Sequence, residues 1–472
     1  MESPIYQSQQ AVEQQAVTAM VLNNGYVTPP TAWESKHTLK SEDIEQSLSG
    51  LQLGFDTKEK IHTEIRAVEI TPPDTPSRSA TPVQDLDQLA SNVLDVIQRF
   101  GQHLPSADAP DGGWLGKPLF MGKVKAQLEK NQAIRLIMPA FPWKSVNKVD
   151  KVTGILPDFG EELALYRLNQ MCEEIRAVYP LGAEVHIATD GLIFDDVVGI
   201  SDEDTWAYGE GLVAMTQEHG LHNVKLLRIM DILGHTEGKT LDKELYMSLA
   251  QQCREELLSS YGRTEAEVRQ MMKDDPDTLL TYCGFIRFLE ADLKFSPITA
   301  ATKAISGSQY RKTVKKVAIN MMIRAESFTK LLQVRCPEYV RLSIHPSTGT
   351  VKLSFPLIET ASGDFPRSPW HSSLALGVDG SYSTVHAKDV RESHDLVTRD
   401  GRGYYFREKS DLWDLGDDDV VCEPRYPNRL IFSPAKAELY GSKTLSSAQL
   451  DKLTALRAAH TAGPVEVIGF AA

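Results

Sequence analysis

No stretch of the 472 residues approaches the roughly 18 uninterrupted apolar positions that a membrane helix needs. Met1 to Gln15 lacks the charged and apolar regions of a signal peptide, so a cytoplasmic location is expected. Cysteine is scarce: the five, Cys172, Cys253, Cys283, Cys336 and Cys422, are far apart and form no CxxC pair. That spacing suits reduced thiols better than a disulfide frame or a zinc site. Positive charge is also in deficit, with a formal net charge of -14 and a pI near 5.4. A nucleic acid or an anionic membrane would need a broad positive field, so neither is expected as a partner. Any anionic ligand must meet a local cluster of basic residues.

Familiar catalytic signatures are missing too. There is no GxGxxG, HExxH or GxSxG, and no HxD pair to begin a two-histidine, one-carboxylate iron site. Gly234-His235-Thr236-Glu237-Gly238-Lys239-Thr240 resembles a phosphate loop but has three residues between its glycines where that motif has four. A turn before a helix is the better reading, and chemistry without a metal is favoured.

What is present is an ordinary globular composition, 42% hydrophobic and 24% charged. Residues 1–84 are rich in Gln, Ser, Thr and Pro with little apolar periodicity, which predicts a disordered tail. From residue 85 the pattern is that of a mixed α/β domain extending to about 440. Leu86, Leu89, Val93, Leu94 and Ile97 form a helical stripe, and Ala133 to Ala140 reads as a strand. Asp158 with Glu161 opens the next helix in capping-box style. Glu184 to Thr189 is a strand, Ser201 to His219 a helix, and Asn223 to Ile232 a further strand. Such alternation predicts a mostly parallel sheet flanked by helices. A long helix over 308–333 follows, then a β-hairpin from Tyr339–His345 and Thr350–Ile358, turned by Pro346-Ser347-Thr348-Gly349. Residues 441–472 are expected as a helical extension.

Several residues in this frame can carry chemistry. Lys144, Ser145 and Lys148 lie just past the C-terminal end of a strand, where α/β sheets place ligand-binding loops, and can hold an anion or simply be a solvated loop. Asp190-Gly191 ends the next strand, so Asp190 is either an acid or base at the same rim or a turn former. At about 100° per residue, Arg324 falls on the face of Val317, Met321 and Phe328. A buried arginine there needs an anionic partner, either a structural carboxylate or a ligand phosphate or carboxylate. In the hairpin, Arg341, Ser343 and His345 share one face with Lys352 and Ser354. Facing a cleft, this is a sugar-phosphate surface; facing solvent, it is an amphipathic hairpin.

Phe141-Pro142-Trp143-Lys144-Ser145 with Asn147 and Lys148, Gly154-Ile155-Leu156-Pro157-Asp158 with Glu161 to Leu165, and Thr189-Asp190-Gly191 with Phe194-Asp195 and Ser201-Asp202-Glu203 occur in this order. They are followed by Arg341-Leu342-Ser343-Ile344-His345-Pro346, Pro369-Trp370-His371 and Tyr404-Tyr405-Phe406-Arg407-Glu408-Lys409. Together, over about residues 90 to 435, these motifs resemble the pyoverdine/dityrosine biosynthesis family, the isonitrile synthases of bacteria and fungi. The resemblance implies a Rossmann-related α/β fold; with no room for a fused oxygenase or peptide-synthetase module and a Pro- and Thr-rich tail that suits a fungal source, a stand-alone synthase of fungal type is expected. It implies condensation of an L-amino acid, tyrosine first and valine or tryptophan after it, with ribulose 5-phosphate as carbon donor. No metal or nicotinamide is implied, and the partners are the small-molecule substrates and downstream tailoring enzymes. On this reading Lys144, Arg324 and Arg341 are anion clamps, supported by Ser145, Lys148, Ser343 and Lys352, and Asp190, His345 and His371 are proton-transfer candidates. The rival readings are a non-catalytic sugar-phosphate-binding regulator and a transferase forming N-formyl amino acids.

Overall fold

A computed structural model describes residues 85–104, 114–300, 306–359, 365–415, 420–436 and 443–471. The tail expected over 1–84 lies outside the described residues. Asp85 caps α1 (Leu86–Phe100) by accepting from the Asp87 N–H, and α2 (Lys117–Glu129) leads into β1 (Ile134–Ala140). Asp158 and Glu161 form the expected capping box of α3 (Phe159–Val178), which satisfies two of the N–H groups a helix start leaves free. Next come β2 (Ala183–Thr189), α4 (Asp202–Glu218), capped by Ser201, and β3 (Val224–Leu227). The strand expected to run to Ile232 stops short, because Asp231 accepts from the Arg228 N–H and starts a helical turn, Ile229–Leu233, that Gly234 closes at φ 91°. Four longer helices follow, α5 (Lys243–Tyr261), α6 (Glu265–Asp274), α7 (Pro276–Asp292) and α8 (Gly307–Arg335), with a single helical turn, Pro297–Ala300, before the last.

β4 (Val340–Ser343) and β5 (Leu353–Ser354) complete a five-stranded parallel sheet in the order β3-β2-β1-β4-β5. This corrects the expected hairpin: β4 and β5 run parallel, with Leu342 beside Leu353. The connecting loop is not folded back on β4. Instead Ser347 Oγ donates to the Lys352 carbonyl at 2.9 Å, and the Trp114 indole N–H donates to the Gly349 carbonyl at 2.8 Å.

The sheet separates two apolar layers. Ile134, Leu136, Met138, Val185, Ile187 and Leu342 pack with α1 to α4, whereas Ile137 and Ala188 pack with α5, α7 and α8. The chain thus leaves β1 for one face and reaches β4 from the other. In such sheets the C-terminal edge between the two strands opens a crevice. Beyond it, β6 (Ser373–Leu376), β7 (Tyr382–Val385), β8 (His394–Arg399) and β9 (Arg402–Glu408) form a four-stranded sheet. β10 (Val420–Arg425) and β11 (Arg429–Pro434) form an antiparallel hairpin that β13 (Val465–Val467) extends, while β12 (Lys443–Thr444) pairs with β14 (Phe470–Ala471). Residues 443–471 are therefore woven into this module: Leu453 and Leu456 of α9 (Ser447–Ala459) bury against Phe432 and Trp413. Among the described residues no helix is long and apolar enough to cross a membrane.

Candidate active site

The chemistry gathers at the C-terminal edge of β1, β2 and β4, on the face covered by α7 and α8. Arg341 is in register with Ile137 of β1, and parallel neighbours project to the same side, so its side chain shares the face that Ile137 buries. Asp190 follows β2 directly, and Gly191 lets the chain pass there: a Cβ on it would lie 2.2 Å from the Pro142 carbonyl oxygen. Phe141, buried and bulky, holds φ 57° in the left-handed region, turning the loop after β1 across this rim.

Arg341, His345, Lys352 and Glu326 keep partial solvent contact, although protein surrounds them closely enough to shift all four titrations, as in residues lining a cleft. Burial pushes Arg341 down to about 10 against the pull of Asp190 and Glu326. The same burial, with Arg341 beside it, lowers Lys352. Among the described residues neither cation has a carboxylate within ion-pair distance. Arg341 donates once, to the Leu342 carbonyl at 2.9 Å, and Lys352 reaches Thr281 Oγ1 at 3.4 Å. Most of their donors are thus unused, and two enclosed cations with so few acceptors have the chemistry to bind an anion.

Acid–base groups lie close to these two cations. Burial raises Asp190 to about 7, only partly offset by Arg341, and its Oδ1 finds no protein partner among the described residues. His345 is driven down to about 3 by burial and by Lys352, Arg341 and His371, so its ring is neutral at ordinary pH. Its backbone N–H donates to Ser343 Oγ at 3.2 Å, which holds the turn out of β4. His371 stacks on Phe288 with ring centroids 4.3 Å apart and meets the edge of Trp143 at 5.9 Å.

One stripe of α7 faces this row of groups: Asp277, Thr281, Phe285, Phe288 and Asp292, spaced three or four apart. Asp277 accepts from the Thr348 N–H at 2.8 Å, Thr281 meets Lys352, Phe285 packs edge-on against His345 with centroids 5.6 Å apart, and Phe288 and Asp292 hold His371. The sequence reading passed over this stripe and Glu326. The periodicity was available, but a helix with polar ends and an aromatic middle also suits any half-buried surface.

Of the residues singled out from sequence, Asp190, Arg341, Ser343, His345, Lys352 and His371 come together. The others do not, and each has a physical reason. Lys144, expected as an anion clamp, is buried and sits 2.7 Å from Asp158 Oδ2, 2.8 Å from Glu161 Oε2 and 3.1 Å from the Pro369 carbonyl oxygen. Three acceptors occupy its three N–H groups, and the paired charges keep it protonated despite burial. Arg324 finds the structural carboxylate: Nη2 donates to Asp196 Oδ2 at 2.9 Å, and Nη1 to the Ile193 carbonyl at 2.8 Å. Ser145 braces the loop, its N–H donating to the Trp370 carbonyl at 2.9 Å, and Lys148 is exposed. Lys144 and Ser145 thereby tie the loop after β1 to the Pro369-Trp370-His371 turn. The Phe194-Asp195 and Ser201-Asp202 motif likewise holds Arg254, whose Nη2 lies 2.8 Å from Asp195 Oδ1 and also contacts Asp202.

A profile of the pyoverdine/dityrosine biosynthesis proteins matches residues 124–397, which contain every one of these cleft residues. Isocyanide synthase xanB of Aspergillus fumigatus is 40% identical over 361 residues, covering 75% of this chain and 47% of that protein. The chain thus spans just under half the length of this relative. The L-tyrosine isonitrile synthase of Xenorhabdus nematophila is 27% identical over 310 residues, 65% of this chain and 88% of that one. The crystal structure of PvcA from Pseudomonas aeruginosa superposes with a TM-score of 0.59 at 25% identity, covering 68% of this chain and all of that one. Through the matched motifs and the shared fold, the chain belongs to the pyoverdine/dityrosine biosynthesis family.

Proposed function

We propose that this chain is an isocyanide synthase that converts the amino group of an L-amino acid into an isonitrile, with ribulose 5-phosphate as the carbon donor. One observation carries the reading: Arg341 and Lys352 are two enclosed cations with no carboxylate partner among the described residues, beside Asp190 and two histidines. The reaction needs this combination. The ketose phosphate and the amino acid carboxylate are both anions, and Arg341 and Lys352 hold them. Imine formation at the ketone, elimination and carbon–carbon cleavage each move protons. Asp190, titrating near neutrality, is suited to give and take them, and so are the neutral rings of His345 and His371. The reading invokes no metal or organic cofactor.

L-Tyrosine is the first choice of amino acid, with L-tryptophan and L-valine after it; two relatives are named for tyrosine and two for tryptophan, and aromatic rings pack on the histidines of the site. The product, a reactive isonitrile made in the cytoplasm, passes to tailoring enzymes. The test is turnover by the purified protein. Ribulose 5-phosphate and the amino acid should be consumed together, with release of inorganic phosphate and a trappable isonitrile. Ketose binding without consumption would contradict the proposal, as would a formamide formed with no isonitrile before it.

A further inference from the structure

Asp292 ends α7 as a buried carboxylate between two nitrogens: Lys151 Nζ at 2.5 Å from Oδ1, and His371 Nδ1 at 3.3 Å from Oδ2. The His371 contact lies within ion-pair distance without the geometry of a full hydrogen bond. Lys151 is itself fixed. Its Nζ donates to the Phe288 carbonyl at 3.3 Å, and its own carbonyl accepts from Ser373 Oγ at 3.0 Å and the Ala387 N–H at 3.1 Å. The His371 ring lies against Phe288, with planes only 25° apart, and against the Trp143 edge, so its orientation is set from three sides.

We propose that Asp292, anchored by Lys151, is the positioning residue for His371: it holds the ring with Nδ1–H toward the carboxylate and leaves Nε2 as the base for the reacting substrate. The proposal rests on the function proposed above, in which His371 transfers protons. The step moves one proton. A C–H or N–H bond of the bound substrate breaks, its electron pair stays on the substrate, and the proton bonds to Nε2. The imidazolium so formed faces the Asp292 carboxylate, which itself stays ionised.

The charged and titratable groups around His371 are Asp292 on α7, Lys151 and Lys144 on the loop after β1, and His345 beyond β4. Burial is the largest influence and lowers His371, Asp292 opposes it, and both lysines add to it. Removing Asp292 and removing Lys151 must therefore move the histidine in opposite directions, a signature that simple loosening of the site would not produce.

The experiment compares Asp292→Asn and Lys151→Met with the full-length wild-type protein. In D292N, kcat should fall about 100-fold, within the range of a misplaced general base. The KM for ribulose 5-phosphate should stay within about twofold of wild type, since transition-state and not ground-state contacts are lost. The acidic limb of kcat/KM should move to lower pH in D292N and to higher pH in K151M. Limbs that move together, or not at all, would overturn the proposal, as would a rise in KM equal to the loss in kcat. An NMR titration of His371 in all three proteins needs no turnover. Opposite shifts there with an inactive wild type would refute the synthase reading while leaving the Asp292–His371 coupling intact. Unshifted titrations in an active enzyme would refute the coupling alone.

Discussion

Lys144 Nζ lies 2.8 Å from Glu161 Oε2, and both side chains are fully shielded from solvent. With Asp158 at 2.7 Å, this places one cation against the two carboxylates of the α3 capping box. The arrangement makes Lys144 a structural residue that also sets the height of the Pro369-Trp370-His371 turn.

Replacing Lys144 with Met strands two buried carboxylates. Breaking a buried pair in this way costs about 3–5 kcal/mol, so K144M should show a large drop in its urea midpoint. An unchanged midpoint with activity lost would mean that the lysine serves a ligand after all.

Asp190 predicts a pH-dependent stability difference. Its folded-state value, about 7, lies above the usual carboxylate value, so the folded protein binds the proton more tightly than the unfolded chain. The stability that proton provides is present at pH 4 and is lost as pH rises through 7, each tenfold difference in proton affinity being worth about 1.4 kcal/mol. Asp190→Asn should melt with the wild type at pH 4 and above it at pH 8, while losing turnover. Equal melting temperatures at pH 8 would place the carboxylate in contact with solvent.

Arg341 and Lys352 should separate from Arg324 by calorimetry. Hydrogen bonds to charged groups contribute about 1.5–3 kcal/mol each, so R341M or K352M should weaken ribulose 5-phosphate binding by roughly 10- to 100-fold. Arg324→Met breaks its Asp196 pair and should lower the melting temperature, with little change in that affinity. An intact affinity in R341M would move the anion site elsewhere.

Gly191→Ala tests how close two segments must come. Its Cβ would meet the Pro142 carbonyl oxygen at 2.2 Å and Thr205 Cγ2 at 2.7 Å, so the loop after β1 must shift away from Asp190. Reduced thermal stability with a large loss of kcat is expected. Wild-type values for both would show that the loop yields freely.

The elements readable from sequence were those specified by local chemistry. The Asp158 capping box, the apolar stripe of α1 and the long α8 each depend on residues within a few positions of one another. The hairpin that Pro346-Ser347-Thr348-Gly349 suggests as a good local turn does not form, because the partner that holds Gly349 is Trp114, 235 positions away in the chain. Charge pairing was hidden for the same reason: that Arg324 needs an anion followed from its helical face, but Asp196 lies 128 residues away. Within the site, the alternation of Arg341, Ser343 and His345 was visible, whereas its facing surface on α7 exists only once the sheet edge and the helix meet.

The most direct test of the synthase reading is the fate of a single carbon. The purified protein is incubated with L-tyrosine, L-tryptophan or L-valine and ribulose 5-phosphate carrying carbon-13 at C2, and the product is trapped and weighed by mass spectrometry. An isonitrile from one of these amino acids, its new carbon bearing the label, is the expected product. An unlabelled isonitrile, or bound ketose recovered unchanged with all three amino acids, would contradict the reading.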